Sequence, residues 1–595
     1  MFQGFSLSKG VAIGKAYLLD RSKFCILKQT LEPDEVEPEI QRFRQAIEKA
    51  KMQMQEIKKR ASKVADKYAV ILDTYTLLLE DEILVCDTIE NIKNYRLNAE
   101  WALTETLQKF TRLFNNINDE YLKGKKDDLD LVVHGVLRNL IGHSQESLSD
   151  IEEPVILVSH ALSPSDTIIM PKNFVLGLAT EAGGKTSHVG IFASALGIPA
   201  VGGVKDLTSQ INTGDQIIID GIEGNILINP SEEQLEHYRK KQASYQRYEQ
   251  SLLADIHQPA ETRDGFQVKL LANIESPHEI KSLRKFGAEG VGLYRTEFLY
   301  IMSQNLPTEN DLYETFKKVA QGMDPFPVVI RTLDIGMDKC LPDISSESED
   351  NPALGLRGIR LSLSSPDIFV IQLKGILRAS LYGDIKILYP MISAVDEVVE
   401  ANRLLEEAKN DLRNEQIPFN EDIEVGAMIE TPAAAICVEH ILPEIDFLSI
   451  GTNDLIQYLL AVDRTNENVA QLYQPFHPSV LKTLKIIFDA VEGSGKAISI
   501  CGELGGDPMA TMILLGLGKL DELSMEPHAI PKVKKIIRKI SLEDARQMAA
   551  EVLGLASTEE INRFVISEMQ RKFPSDFDRN LNFNEKPIPV SKDHP

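Results

Sequence analysis

The segment GGKTSHVG, residues 183–190, holds the side chain best placed for covalent chemistry, His188. Two glycines and small polar residues lead to it, and the apolar run VGIFASALG follows, with Gly197 and Pro199 as stop signals. The pattern predicts a loop feeding a helix whose first turn carries the histidine, capped by Thr186 or Ser187. Free backbone N–H groups and the positive end of the helix dipole suit an arriving phosphoryl group there. Taken alone, the motif fits a plain capping histidine equally well.

A second set of reactive side chains recurs where apolar runs end. Arg295 and Glu297 close one run; Arg331 and Asp334 close the next, with Lys339 just beyond. Glu430 ends another, then Asn453 and Asp454, then Cys501 and Glu503. Arg357 and Arg360 lie between two runs, and Arg464 follows the sixth. Several cations brought to one place need anions, and arginine forks match phosphate and carboxylate. Glu430 and Asp454 suit a Mg²⁺ that keeps waters and takes substrate oxygens. A small molecule bearing both phosphate and carboxylate would satisfy the set. Surface salt bridges are the bland alternative, disfavoured by the spread over five separate runs. Cys501, in SICGELGGD, is expected at an exposed run end, where a thiol can move a proton; otherwise it fills a core. His477, between prolines, fits a structural role, while His134, His143 and His160 show no partner in the sequence.

Eight apolar runs position most of these groups: 267–274, 290–297, 327–336, 386–392, 424–431, 447–454, 497–503 and 520–527. Helical patterns separate most of them. Eight strand–helix units predict a (β/α)8 barrel of the TIM type over residues 261–574, with the reactive groups at the C-terminal strand ends. Upstream, strands are predicted at 10–19, 154–159, 173–179, 216–221 and 224–230. Between the first two lies a helical block in which Ile40, Phe43, Ile47, Ala50, Met54 and Ile57 alternate spacings of three and four. The fold class is therefore multidomain α/β. A small α/β domain (1–20 and 148–230) carries a helical insertion (21–147), and a linker helix (231–260) leads to the barrel. Residues 575–595, polar and proline-bearing, are expected to be a disordered tail.

Composition narrows the function classes. A net charge of −25 argues against nonspecific nucleic-acid or anionic-membrane partners. No apolar run is long enough to span a bilayer, and MFQGFSLSKG lacks the regions of a signal peptide. Five scattered cysteines show neither zinc nor disulfide spacing, so a reducing cytoplasm is the expected setting.

The segments LSPSDT (162–167), GGKTSHVG, GVGLYRTEFL (290–299), RTLDIGMDK (331–339), NPALGLRGIR (351–360), IETPAA (429–434), SIGTNDLIQYLLAVDR (449–464) and SICGELGGD (499–507) carry a resemblance. Together they resemble the enzyme I family of the bacterial phosphotransferase system, the phosphoenolpyruvate–protein phosphotransferases. The resemblance implies phosphorylation of His188, and phosphoenolpyruvate binding by Arg295, Arg331, Asn453 and Arg464 with Lys339 nearby; Arg357 and Asp454 join this set. It also implies Mg²⁺ on Glu430 and Asp454, and protonation of the enolate by Cys501 to give pyruvate. A homodimer through the barrel, and docking of the carrier HPr on the helical insertion, are further implications. The histidine domain would swing between barrel and carrier. The chain departs from the family pattern at Met337, usually glycine, and over GKKDDLDLVVHG (124–135), in the carrier-docking part. Pyruvate phosphate dikinase and phosphoenolpyruvate synthase share the histidine and barrel domains. They also need a large nucleotide-binding domain, for which the block at 33–142 is too short and too helical. A regulatory scaffold without turnover is the non-enzymatic alternative, opposed by the complete Arg, Glu, Asp and Cys set.

Overall fold

The computed structural model describes residues 1–577 apart from 20–25, 62–78, 80–81, 116–132, 134, 138, 142–147, 149–150, 152, 163–165, 167–169, 172, 183–188, 191–192, 194–196, 302–305, 337–350, 465 and 467. The chain divides into two compact units, Met1–Arg247 and Tyr248–Pro595.

The first unit holds β1 (Phe2–Gln3), β2 (Phe5–Ser8), β3 (Val11–Leu19), β4 (Val155–Ser159), β5 (Val175–Thr180), β6 (Ala200–Gly202), β7 (Gln216–Asp220) and β8 (Asn225–Ile228). They form one sheet in the order β1-β8-β7-β3-β4-β5-β6-β2, with β3 to β6 parallel and the remaining pairs antiparallel. Alternation along the strands buries both faces. Leu157 and Leu178 join one core, while Ile156, Val158 and Ala179 join the other. Strands β3, β4, β5, β7 and β8 coincide with the predicted runs; the short β1, β2 and β6 lie outside them.

Helices Val36–Ala61, Glu82–Tyr95 and Ala99–Asn115 are inserted between β3 and β4. The predicted seam is buried at Ile40, Phe43, Ile47 and Ala50. Arg42 pairs with Glu39 of its own helix at 2.6 Å and with Glu100 of the third helix at 2.8 Å. Within the predicted helical insertion, residues 62–78 and 116–132 lie outside the described residues. The linker helix spans Glu232–Ala254. Its Lys241 is buried against Asp220 (2.5 Å) and Glu223 (2.8 Å), and Gln242 Nε2 donates to the Val11 carbonyl at 2.9 Å, fastening the helix to β3 and the β7 end.

In the second unit, β9 (Lys269–Ile274), β10 (Val291–Arg295), β11 (Val328–Arg331), β12 (Ile385–Tyr389), β13 (Val425–Ile429), β14 (Phe447–Gly451), β15 (Ala497–Cys501) and β16 (Glu522–Met525) close into a parallel barrel. Each coincides with one of the eight predicted runs. Outward residues such as Ile330, Ile387, Ile450 and Ile500 meet the helical layer. Inward ones, Leu293, Val329, Leu388, Met428, Phe447 and Cys501, form a separate apolar cluster inside the barrel. Glycine makes room for it: a Cβ on Gly426 would lie 2.5 Å from the Phe447 ring.

The runs extend past the true strands. Glu297 opens a helix (Glu297–Ile301), Asn453 and Asp454 lie in the first turn of Thr452–Leu460, and Glu503 opens a 3₁₀ turn (Glu503–Gly506). The barrel ladder ends at residues 295, 451 and 501, after which the free backbone groups are taken up by the next helix. At the C-terminus, Pro574–Phe577 is helical, and Phe577 packs on Phe573 with ring centroids 6.2 Å apart. Two aromatic rings in contact keep ordered the start of the stretch expected to be tail; residues 578–595 lie outside the described residues.

Candidate active site at the barrel mouth

The charged residues past β10, β11, β13 and β14 form one buried network. Arg331 Nη2 sits 2.6 Å from Glu297 Oε1, and its Nη1 sits 3.0 Å from Asp334 Oδ2. Arg357 grips the same Asp334 with Nε at 3.2 Å and Nη2 at 2.9 Å, and reaches Asp454 at 3.4 Å. Burial alone would raise Asp334, but Arg331 and Arg357 outweigh it and hold the carboxyl below its ordinary range. Burial opposes charge on Arg331 too, yet Glu297 and Asp334 push its pKa above the usual value.

Glu430 is different. Its Oε1 accepts the Met391 N–H at 2.6 Å, and Gly451 lies so near that a Cβ there would be 2.6 Å from Oε2. Burial, then Asp454 and Asp334, push its pKa well above the carboxylate range, against the pull of Arg331. Four carboxyl groups (Glu297, Asp334, Glu430, Asp454) thus crowd two guanidiniums (Arg331, Arg357), and a charge on Glu430 is disfavoured for want of a further cation. Arg331 Nε, in turn, is buried with no hydrogen-bond partner among the described residues. Among the described residues, no three His, Cys, Asp or Glu side chains gather as an all-protein metal cage. A divalent cation taking one or two carboxylates and finishing its shell with waters and substrate oxygens fits both the missing charge and this donor set.

Two further arginines at the mouth are held by carboxylates. Arg295 pairs with Glu275 at 3.2 Å, and Arg464 with Glu503 at 3.1 Å. Asn453 is exchanged with Glu503 as well: the Glu503 N–H donates to Asn453 Oδ1 at 2.9 Å. Gly502, at φ +96°, turns the chain here, where a Cβ would strike Thr452 Oγ1 at 2.5 Å.

Cys501 is not exposed, contrary to expectation; it is 1% accessible. Ile498 and Ile500 face outward, so parity points Cys501 into the barrel, on top of the apolar cluster. Ser449 Oγ donates to its sulfur at 3.3 Å, and the thiol reaches the Ile450 carbonyl at 3.5 Å. Burial pushes the thiol up to about 11, only partly offset by Ser449. At neutral pH this is a protonated thiol, a donor rather than a nucleophile.

His188 and Lys339 lie outside the described residues. Arg360 stays out of the network, donating instead to the Leu354 and Gly355 carbonyls at 3.2 and 3.3 Å. His477 caps helix Pro478–Val491, its Nδ1 accepting the Ser479 N–H at 3.2 Å. His160 does have a partner, Glu181 Oε2 at 2.6 Å, whose other oxygen accepts the Thr208 N–H at 2.6 Å. A contact across 21 residues leaves no local mark in sequence. Glu275, Ser449 and Gln372 join the site without having been expected there. Of these, only Gln372 carries a signal, as a polar residue at helical spacing among Phe369, Leu373 and Ile376.

Residues 3–125, 151–224 and 250–542 match the N-terminal, mobile and PEP-binding domains of PEP-utilising enzymes. With the closed barrel, these define the class. Within it, the chain belongs to the phosphoenolpyruvate–protein phosphotransferase family, the enzyme I family of the phosphotransferase system. The phosphoenolpyruvate-protein phosphotransferase of Geobacillus stearothermophilus is 42% identical over 563 residues, 94% of this chain and 97% of its own. That of Bacillus subtilis (strain 168) is 41% identical over 564 residues, 95% of this chain and 98% of its own. A solution structure of an Enzyme I protein is 38% identical, covering 41% of this chain and 100% of its own, with a TM-score of 0.37. As a family member, the chain is a phosphoryl-transferring enzyme. No described helix is long and apolar enough to cross a membrane.

Proposed function

We propose that the chain takes the phosphoryl group of phosphoenolpyruvate onto His188 and passes it to a histidine of an HPr-type carrier, releasing pyruvate, as the first step of the sugar phosphotransferase system. The observation that carries this reading is the buried mouth network, in which four carboxyl groups outnumber two guanidiniums and Arg331 Nε has no partner among the described residues. It wants a cation and an anion together. Glu430 and Asp454 would hold Mg²⁺, which when bound supplies charge screening for the phosphate and carboxylate. Arg295, Arg331, Lys339, Arg357, Asn453, Asp454 and Arg464 form the substrate set. For this, Arg295 and Arg464 exchange Glu275 and Glu503 for substrate oxygens.

In the transfer, the imidazole of His188 attacks phosphorus, an N–P bond forms, and the bond from phosphorus to the enol oxygen breaks. Cys501 then gives its proton to the terminal enolate carbon, yielding pyruvate. The reading assigns residues 1–20 and 148–230 to the phosphohistidine domain, 21–147 to carrier docking, 231–260 to the linker, and 261–574 to substrate binding and dimerisation. The cytoplasm is its setting. The test is incubation of the full chain with phosphoryl-labelled phosphoenolpyruvate and Mg²⁺, then mapping of the label. Acid-labile label on His188, lost in His188→Ala, is the expected result; undiminished labelling of the variant would sink the assignment.

A further inference from the structure

Gln372 stands outside the barrel mouth, on helix Pro366–Ala379 in the outer layer, yet its side chain is buried and hydrogen-bonded at both ends of the amide. Its Oε1 accepts the Leu333 N–H at 2.9 Å. Its Nε2 donates to Thr296 Oγ1 at 3.1 Å, and that hydroxyl donates onward to the Arg331 carbonyl at 2.9 Å. One amide therefore clamps two segments just where they leave the barrel ladder. Thr296 lies between Arg295 and Glu297; Arg331 and Leu333 frame the turn that leads to Asp334. The Thr332 N–H still bonds the Leu388 carbonyl at 3.0 Å, so the clamp acts at the point where β11 ends.

We propose that Gln372 is a positioning residue for phosphoryl transfer, fixing the backbone from which Arg295, Glu297, Arg331 and Asp334 rise. The inference rests on the reading of Arg331 as a phosphoenolpyruvate-binding group. Its physical basis is the two-sided chemistry of the amide. Only a side chain with one acceptor and one donor at this reach satisfies the Leu333 N–H and keeps the Thr296 hydroxyl turned toward Arg331. A glutamate would accept from both groups and release the Arg331 carbonyl; a leucine would bond neither. Because the guanidinium of Arg331 is ion-paired on both sides, its aim depends on its own backbone and on that of Glu297 together. Displacing a positioned group by about 1 Å can cost on the order of 10²-fold in rate.

The bland alternative is that Gln372 only stabilises the fold. The test uses the full chain under single-turnover conditions with labelled phosphoenolpyruvate and Mg²⁺, reading the plateau rate and the half-saturating concentration, with thermal unfolding alongside. Gln372→Leu is expected to lower the plateau rate by roughly 10- to 100-fold per folded molecule, and to change the half-saturating concentration much less. Thr296→Val, which removes the link to the Arg331 carbonyl and the acceptor of Gln372 Nε2 but leaves the Gln372 bond to the Leu333 N–H, is expected to lower the rate in the same direction; it decides the matter if Gln372→Leu does not fold. In an Arg331→Lys background, either change is expected to cost no more than about twofold, because residues acting as a unit are not additive. A rate loss that only tracks the folded fraction, or the same loss in the Arg331→Lys background, overturns the proposal. So do wild-type rates in Gln372→Leu or Thr296→Val while Arg331→Lys is crippled, which leaves the reading of the mouth standing. A wild-type rate in Arg331→Lys overturns both.

Discussion

Replacing Cys501 with alanine separates proton delivery from packing, because the two roles differ in size. A positioned acid is worth about 10²–10⁴-fold, or about 2.7–5.4 kcal/mol of barrier. Removing a sulfur from the closely packed layer of Leu293, Val329, Leu388, Met428 and Phe447 costs about 1–2 kcal/mol of stability, a few degrees of melting temperature. With its thiol pushed up to about 11, Cys501 is almost wholly protonated at pH 7.5, with roughly 0.03% thiolate. The variant is therefore expected to form phosphohistidine and exchange phosphoryl groups with enolate, but to lose at least about 100-fold in pyruvate formation and to add solvent deuterium to either face of the methyl carbon. The assay is pyruvate release with chirality analysis in deuterated water, beside thermal unfolding. Near-normal release with a clearly lowered melting temperature would refute the acid role. The pH dependence has a definite sign. The folded thiol titrates above its ordinary 9.0, so the stability it lends is complete below that value and is lost as pH rises through about 11. The alkaline limb of pyruvate formation attributable to Cys501 should lie near the upper value.

Glu430→Gln keeps the bond to the Met391 N–H while removing the charge, so it and Asp454→Asn should each weaken the Mg²⁺ dependence of labelling; unchanged Mg²⁺ titrations in both would place the cation elsewhere. Lys241→Met leaves the fully buried Asp220 without its cation, which should cost about 3–5 kcal/mol and lower the melting of the first unit, seen by calorimetry. An unaltered transition would show that Lys241 contributes only its alkyl stem.

The barrel was legible because its strands are covered on both faces, which gives eight apolar runs, five of them ending in the charged groups of the mouth. The same property blurred their ends: Glu297, Asn453 and Glu503 continue the runs in sequence but belong to the turns that follow. The identities of the arginines and acids could be read, but not their pairing, since Arg357 meets Asp334 and Asp454 across 23 and 97 residues. Cys501 was misjudged because a strand end is not the same as an exposed end; parity along β15 turns it toward the barrel interior. The strands β1, β2 and β6 are too short to establish an alternating pattern and exist through their neighbours in the sheet.

The close fit of Gly426 and Phe447 has a consequence for how such a chain can drift. Any residue with a Cβ at 426 collides with the ring at 447, and a small residue at 447 beside glycine leaves a hole in the layer beneath the catalytic groups. Either change alone is worse than both together. The two positions, paired on neighbouring strands, can therefore change only together, and the route between acceptable versions of this barrel passes through a poorer intermediate.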